Sequence, residues 1–338
     1  MAVPSAPSPE EVSSALRQRL AGRFPGEVAD VEVPVRITGG FDFWIYGLRF
    51  GGAGLPARWT APLVARIPAA PERFALLERE CRLQAWVAAR GYPAPPLLEL
   101  VAPGELFQSP VQVMQRVAGT RMDQAMTAAP GAIAGLVGQL AASQAALHRL
   151  PVPGWAPGEP GWSLADKRLA LARYVVGQGW GGLLAEALER SEQIVPLLQV
   201  PEPAICHGDF HPRNLLLDAG TVWVIDWTDA GIGDRHGDVA RTEWTFRSAA
   251  VILSGETGQA ASAALDPGLA DSYLSYYQRE LPIDPARLRL WMPLQHLNAW
   301  AMAVAGQQGF FGPSHPGNDS RMATWAVQQF WLCIRDLP

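Results

Sequence analysis

The densest polar run in the chain is Cys206-His207-Gly208-Asp209-Phe210-His211-Pro212-Arg213-Asn214, and it passes directly into the apolar Leu215-Leu216-Leu217. After the turn Asp218-Ala219-Gly220 comes a second apolar stretch, Val222 to Ile225, which ends in Asp226-Trp227. Short apolar runs on both sides of a glycine-containing turn predict a β-hairpin. A hairpin brings its outer ends together, so Asp209 and Asn214 before it and Asp226 after it can converge on one point. Oxygens from Asn214 and Asp226 suit a Mg²⁺ ion that keeps several waters and takes its remaining ligands from phosphates. Asp209, five residues ahead of Asn214, would then lie beside the ion without ligating it, placed to orient a hydroxyl and accept its proton.

The elements that must carry these residues divide the chain in two. Glu10 to Arg23 reads as a short amphipathic helix, with Val12, Leu16 and Leu20 four apart and Ser8-Pro9 at its start. Then the period changes to that of strands: Val31 to Thr38, Phe43 to Phe50 and Pro62 to Ile67 predict a small antiparallel sheet. A helix from about Pro71 to Arg90, closed by Gly91, and two more strands, Pro96 to Val101 and Val111 to Val117, complete this part. Beyond Gly119 the pattern is mainly helical, over about 131 to 149, 163 to 176, 181 to 198, 238 to 253, 267 to 280, 285 to 304 and 320 to 335. We divide the chain into residues 1–117, a β-rich lobe that includes a leader and helix over 1–25, and residues 118–338, a larger helical lobe. The histidines outside the polar run show no zinc-protease spacing.

Composition limits the partners. In 338 residues and a formal net charge of -5, with 49% hydrophobic and 17% charged residues, there is ample material for a core and no basic footprint for nucleic acid. The three cysteines, Cys81, Cys206 and Cys333, are far apart and never form CxxC, which fits a reducing cytoplasm. The N-terminus lacks the charged and apolar regions of a secretory signal. Gln124 to His148 carries no Asp, Glu, Lys or Arg, but Pro130, Gln139, Ser143 and Gln144 interrupt it, so a buried core helix is expected rather than a membrane span. The 27 Lys and Arg residues include a single lysine, Lys167. Any step that needs a cation elsewhere must use arginine.

The spacing Asp209-x-x-x-x-Asn214 followed by Asp226 is that of a kinase catalytic loop and its metal-binding aspartate. HGDFHPRN, then VIDW, then GIGDRHGDVA over 231–240 resembles the signature of the aminoglycoside phosphotransferase family, relatives of protein and choline kinases. The resemblance implies an α+β, two-lobed, protein-kinase-like fold, with ATP or GTP as co-substrate, Mg²⁺, and a small-molecule hydroxyl as acceptor. It implies that Asp209 is the catalytic base, that Asn214 and Asp226 are magnesium ligands, and that His207 is a structural residue of the loop; His211, within the same loop, is expected to hydrogen-bond to the loop itself instead of taking part in the chemistry. It also implies that Asp234 and Asp238 brace that loop. No Walker sequence or GxGxxGxV is present, and the one APE, Ala70-Pro71-Glu72, lies far ahead of the catalytic loop instead of after Asp226, so neither supports protein phosphorylation.

In that fold the first strands cover the nucleotide, and Gly39-Gly40 sits at the strand turn where backbone amides can approach phosphate oxygens. Strand Leu63 to Pro68 carries Arg66 where kinases usually have lysine, and a guanidinium matches phosphate geometry with forked hydrogen bonds. Its partner should be Glu80, which shares a helical stripe with Leu76, Leu83 and Val87 and so needs a buried counter-charge. Glu78 instead faces Arg82 on the polar side. The backbone from Gln115 to Val117 resembles the hinge that binds a purine edge. The acceptor stays open between an aminoglycoside, a macrolide and a metabolic amino alcohol or sugar, and a nucleotide-binding regulatory pseudokinase is a further alternative. Gln307 to Ser320, with Phe310 and Phe311, is expected to rim the acceptor pocket. Nothing in the sequence speaks to oligomeric state.

Overall fold

The structure is a computed structural model, and it describes residues 6–37, 43–69, 74–155, 162–253, 268–308, 320–335 and 337. Gly39, Gly40, Phe310 and Phe311 lie outside them. The chain forms two compact units: Met1–Gly119 with Trp223–Thr228, and Thr120–Val222 with Asp229–Pro338.

The first unit is built on a five-stranded antiparallel sheet. Its strands are β2 (Val35–Ile37), β3 (Phe43–Leu48), β5 (Leu63–Pro68), β6 (Leu97–Val101) and β7 (Val111–Gln115), in the order β2-β3-β5-β7-β6. Two short strands, β1 (Ala29–Asp30) and β4 (Phe50–Gly51), pair beside it. Helix α1 (Pro9–Ala21) starts in a capping box in which the Ser8 hydroxyl accepts from the Glu11 amide and the Glu11 carboxylate accepts from the Ser8 amide. This satisfies two end donors at once. Val12, Leu16 and Leu20 of α1 are fully buried with Tyr46, Phe50, Leu63, Ala65 and Ile67 of the sheet region. The one-turn helix α2 (Ala57–Thr60) buries Trp59, and helix α3 (Phe74–Ala88) buries Leu77, Glu80, Leu83 and Val87 along one stripe.

The second unit is mostly helical. It comprises β8 (Thr120–Arg121), α4 (Met122–Ala128), α5 (Ile133–His148), α6 (Leu164–Gly177), α7 (Gly182–Ile194), β9 (Ala204–Cys206), β10 (Leu215–Asp218), the start of β11 (Thr221–Val224), β12 (Gly231–Gly233), α8 (Arg235–Leu253), α9 (Gly268–Glu280), α10 (Pro285–Gln307) and α11 (Ser320–Arg335). Its core gathers Leu169, Leu184, Ala240, Trp291, Leu294, Leu297, Ala326 and Phe330 from α6, α7, α8, α10 and α11. Two short sheets, β11-β10-β8 and β12-β9, were only partly foreseeable, because β8 and β12 are two and three residues long. The charge-free segment folds as α4 and α5 with a 120° bend between them, and α5 buries Ile133, Leu136, Val137, Leu140 and Leu147. No single described helix is long and apolar enough to cross a membrane.

Candidate active site

Most of the predicted site residues that the structure describes fall into two charge clusters, one in each unit. In the first, strand β5 places Arg66 directly opposite Gln112 of β7 and Ile45 of β3. The Arg66 side chain is buried and its Nη1 donates to the Glu80 carboxylate and, at 2.9 Å, to Gln112 Oε1. The carboxylate on Arg66 is thus Glu80's, from the apolar stripe of α3. Arg66 Nη2 donates to Asp226 Oδ1 at 3.1 Å and to the Thr228 hydroxyl at 3.2 Å, while Phe43 stacks on the guanidinium at 4.1 Å. Burial alone would make this guanidinium easier to deprotonate, but Glu80 and Asp226 outweigh it and hold Arg66 more firmly cationic than a free arginine.

Asp226 adopts left-handed backbone, φ 61°, which is uncommon outside glycine and tolerated best by Asp and Asn. The Thr228 hydroxyl pins its Oδ1 at 2.8 Å and lies 3.2 Å from Glu80 Oε2. Asp226 Oδ2 has no partner among the described residues, and its side chain is half exposed. Neighbouring Trp227 is buried, donates to the Val224 carbonyl at 3.0 Å, and meets Tyr92 edge to face. At the end of β7 the Gln115 amide is already bonded to the Pro96 carbonyl and that of Arg116 to the Pro62 carbonyl. Of the expected hinge donors, Val117 N–H alone is left without a backbone partner among the described residues.

In the second unit the polar run leaves β9 through Gly208, whose φ of 79° and close approach to the Asp229 carbonyl leave no room for a Cβ. Asp238, fully buried on α8, accepts from the amides of His207 at 3.0 Å and Gly208 at 2.7 Å. His148 Nε2 lies 3.0 Å from the same carboxylate, and Tyr277 lies 2.6 Å from His148 Nδ1. Burial pushes Asp238 up, but His148 and His207 overcome it and set its pKa to about 2. Asp234 departs from the expectation. Its carboxylate does not reach the loop but ties the start of α8 to α10 through His236 (2.7 Å), Arg287 (2.7 Å) and Trp291 (3.0 Å).

Asp209 itself is ringed by donors. Its Oδ1 accepts from Arg241 Nε at 3.1 Å and Nη2 at 2.8 Å, and its Oδ2 lies 3.2 Å from His211 Nε2 and 3.3 Å from Asn214 Nδ2. Burial disfavours the charge, yet His211 and Arg241 hold this carboxyl well below the usual carboxylate range. Asn214 spends both donor contacts on Asp209, the second to its carbonyl at 3.0 Å, which leaves Asn214 Oδ1 without a partner among the described residues. The Asp209 amide donates to His207 Nδ1 at 3.3 Å. An ionised carboxylate of such low basicity is suited to orienting a hydroxyl and taking its proton late.

Four members of these clusters escaped the sequence reading: Gln112 and Thr228 around Arg66, and Arg168 and Arg241 near Asp209. Gln112 was visible as the polar residue in Val111-Gln112-Val113-Met114, and Arg241 as the residue one helical turn beyond Asp238. Arg168, buried on α6, donates to the Gly208 carbonyl and, at 3.4 Å, to Asp229, a contact across 40 and 61 residues that no local pattern reports.

The model of the phosphotransferase enzyme family matches residues 36–291, three quarters of the chain and both clusters. The chain belongs to this phosphotransferase family. An aminoglycoside 3'-phosphotransferase of Streptomyces fradiae is 31% identical over 192 residues, which span 53% of this chain and 68% of that protein. Among solved structures, aminoglycoside-3'-phosphotransferase of type VIII superposes with a TM-score of 0.55 at 24% identity, covering 85% of this chain and 99% of its own. A thermostable variant of aminoglycoside phosphotransferase APH(4)-Ia, in a ternary complex with ADP and hygromycin B, gives 0.60 at 18% identity over 95% and 98%. Choline kinase from Cryptosporidium parvum Iowa II gives 0.59 at 13% over 91% and 90%. The phosphotransferase chain therefore has the protein-kinase-like fold, with an antiparallel sheet in its N-terminal part and helices in its C-terminal part.

Proposed function

We propose that this phosphotransferase moves the γ-phosphoryl group of ATP or GTP to a hydroxyl of a small molecule, with Asp209 orienting the hydroxyl and accepting its proton. The observation that carries this reading is the Asp209 carboxylate, kept ionised by Arg241 and His211 and fixed by Asn214. Phosphoryl transfer of this kind asks for positioning and charge rather than for a strong base. Aminoglycosides and macrolides are the antibiotic classes to which the family resemblance points, and an amino alcohol or sugar of metabolism is the second acceptor class.

Arg66 holds nucleotide phosphates in place of the usual lysine, kept in position by Glu80, with the backbone of Gly39 and Gly40 covering the phosphates. The backbone from Gln115 to Val117 takes the purine edge, with Val117 N–H, which has no backbone partner among the described residues, as its donor. His207, His211 and Asp238 support the Asp209 loop, whereas Asp234 ties α8 to α10. Mg²⁺ fits the residues present, because Asn214 Oδ1 and Asp226 Oδ2 are hard oxygen donors without protein partners among the described residues. The ion supplies charge neutralisation of the phosphates when bound.

Asp209→Ala should lower turnover by at least about 10²-fold in Mg²⁺ and nucleotide, while nucleotide affinity measured by calorimetry stays near wild type. A fully active variant would remove Asp209 from the reaction, and a chain without any Mg²⁺-dependent nucleotide turnover would favour the regulatory pseudokinase.

A further inference from the structure

We infer that the acceptor is an uncharged or anionic hydroxyl compound rather than a polycation, and that Arg241 is the residue that selects it. This rests on the proposed role of Asp209. Arg241 commits Nε and Nη2 to one oxygen of Asp209 and leaves Nη1 without a partner among the described residues, on a side chain that is 13% exposed. A donor of fixed positive charge thus stands beside the carboxylate that would receive the hydroxyl. It is not a loose surface side chain. Its guanidinium stacks on Trp244 at 4.9 Å, the Trp244 indole donates to His296 Nδ1 at 3.1 Å, and Trp325 packs on both rings. The other ring nitrogen at the site, His211 Nδ1, is buried and unpartnered, a second polar atom without a protein contact.

Among the described residues, the carboxylates on the elements packed around Arg241 are already paired or buried. Helix α8 packs against α9, α10 and α11. Neither α10 nor α11 contains an Asp or Glu. On α9, Asp271 is paired with Arg247 at 2.9 Å and Glu280 with Arg149 at 3.0 Å. On α8 itself, Asp238 is sealed beneath the loop, and Glu243 is nearly buried and paired with Arg247 at 2.8 Å. Asp229 is held by buried Arg168 at 3.4 Å, and Arg213 of the loop adds a further cation. An ammonium group brought to Asp209 would meet Arg241 without a free carboxylate to offset it among the described residues. A carbonyl, ether or carboxylate oxygen next to the reacting hydroxyl would instead meet the open Nη1.

The test uses the full chain with Mg²⁺ and ATP or GTP, and acceptors matched in size: 4-hydroxybutyrate, 1,4-butanediol and 4-amino-1-butanol, with an uncharged trisaccharide and an aminoglycoside as the large pair. Wild type should show higher kcat/KM for the neutral and anionic members, and Arg241→Glu should shift the ratio of cationic to anionic acceptors by about tenfold or more toward the cation. Arg241→Lys should keep the order of preference. The same acceptors are titrated calorimetrically with ADP and Mg²⁺ present, so that charge preference is read where turnover is absent. No phosphorylation of any acceptor overturns the kinase reading, and the binding order then decides the acceptor question alone. Tighter binding or faster turnover of the aminoglycoside by wild type, or an unchanged ratio in Arg241→Glu, overturns the inference.

Discussion

The Arg66 and Asp209 clusters solve opposite electrostatic problems. Around Arg66 a buried cation is surrounded by acceptors: two carboxylates, an amide oxygen and a hydroxyl. Around Asp209 a carboxylate is surrounded by donors from an arginine, a histidine and an asparagine. The first is closed, with the Arg66 and Glu80 side chains only 7% and 1% exposed, whereas the Asp209 side chain keeps 27% of its surface open. A closed ion pair is bound to the stability of its unit, because removing one partner leaves the other charged and dry. An open cluster can lose a member and let water replace it. Loss of Arg66 or Glu80 should therefore act mainly on folding, and loss of Asp209 mainly on turnover.

The largest expected effect tests that division directly. Glu80→Ala should destabilise the protein by about 3 kcal/mol or more, seen as a lower urea midpoint, since Arg66 would keep its charge with Asp226 as the remaining carboxylate. Asp209→Ala, whose side chain keeps 27% of its surface open, should cost less than Glu80→Ala in the same measurement. Equal losses in the two variants would abolish the distinction between closed and open clusters.

The two clusters also differ in how legible they were. The kinase resemblance placed the partner of Arg66 on the following helix, and helical periodicity chose Glu80 over Glu78, because a carboxylate on the apolar stripe with Leu83 and Val87 has to be neutralised inside. Most helices and the strands Phe43–Leu48, Leu63–Pro68 and Leu97–Val101 were likewise readable from their periods. Around Asp209 the loop members His211 and Asn214 were readable, but the contact of Arg241 with it was not. Arg241 is 32 residues from Asp209 and reaches it only because Asp238, one turn earlier on α8, is bonded to the loop amides. Tertiary contacts of that length leave no period in the sequence. The same limit applies to Asp234, which lies in the same motif as Asp238 but spends its carboxylate on α10.

A second difference is sensitivity to pH. The chain of contacts from Asp209 through Arg241 and Trp244 ends on His296, which has no counterpart behind Arg66. Since the Trp244 indole can only donate, His296 Nδ1 must accept, and its ring is neutral with the proton on Nε2. Burial lowers its pKa from 6.5 to about 4. The unfolded chain therefore takes up a proton near pH 6.5 that the folded chain refuses until about pH 4, so this contribution is complete above 6.5 and lost as pH falls between the two. The loss should be roughly 3 kcal/mol. Asp234 and Asp238, both held at about 2, act only below pH 3.8, in a separate window. Urea unfolding at pH 7 and pH 4 should show this fall in wild type and a clearly flatter response in His296→Gln; parallel curves would show that the brace behind Arg241 carries no such proton.

The smallest effect sharpens the Arg66 side. Thr228 places one hydroxyl among Arg66, Asp226 and Glu80, 2.8 Å from Asp226 Oδ1 and 3.2 Å from each of the other two. One hydroxyl proton cannot serve both carboxylates fully, so its shorter contact, to Asp226, is the one that fixes the left-handed backbone there. Thr228→Val keeps the branched shape but removes that contact, and should cost about 1 kcal/mol in stability. Asp226 would lose its orientation while retaining Arg66, so the Mg²⁺ concentration for half-maximal turnover should rise by about fivefold and Thr228→Ser should restore it. A stability loss without a change in Mg²⁺ dependence would make Thr228 part of the closed ion pair only, and would place the orientation of Asp226 in the backbone and in Arg66.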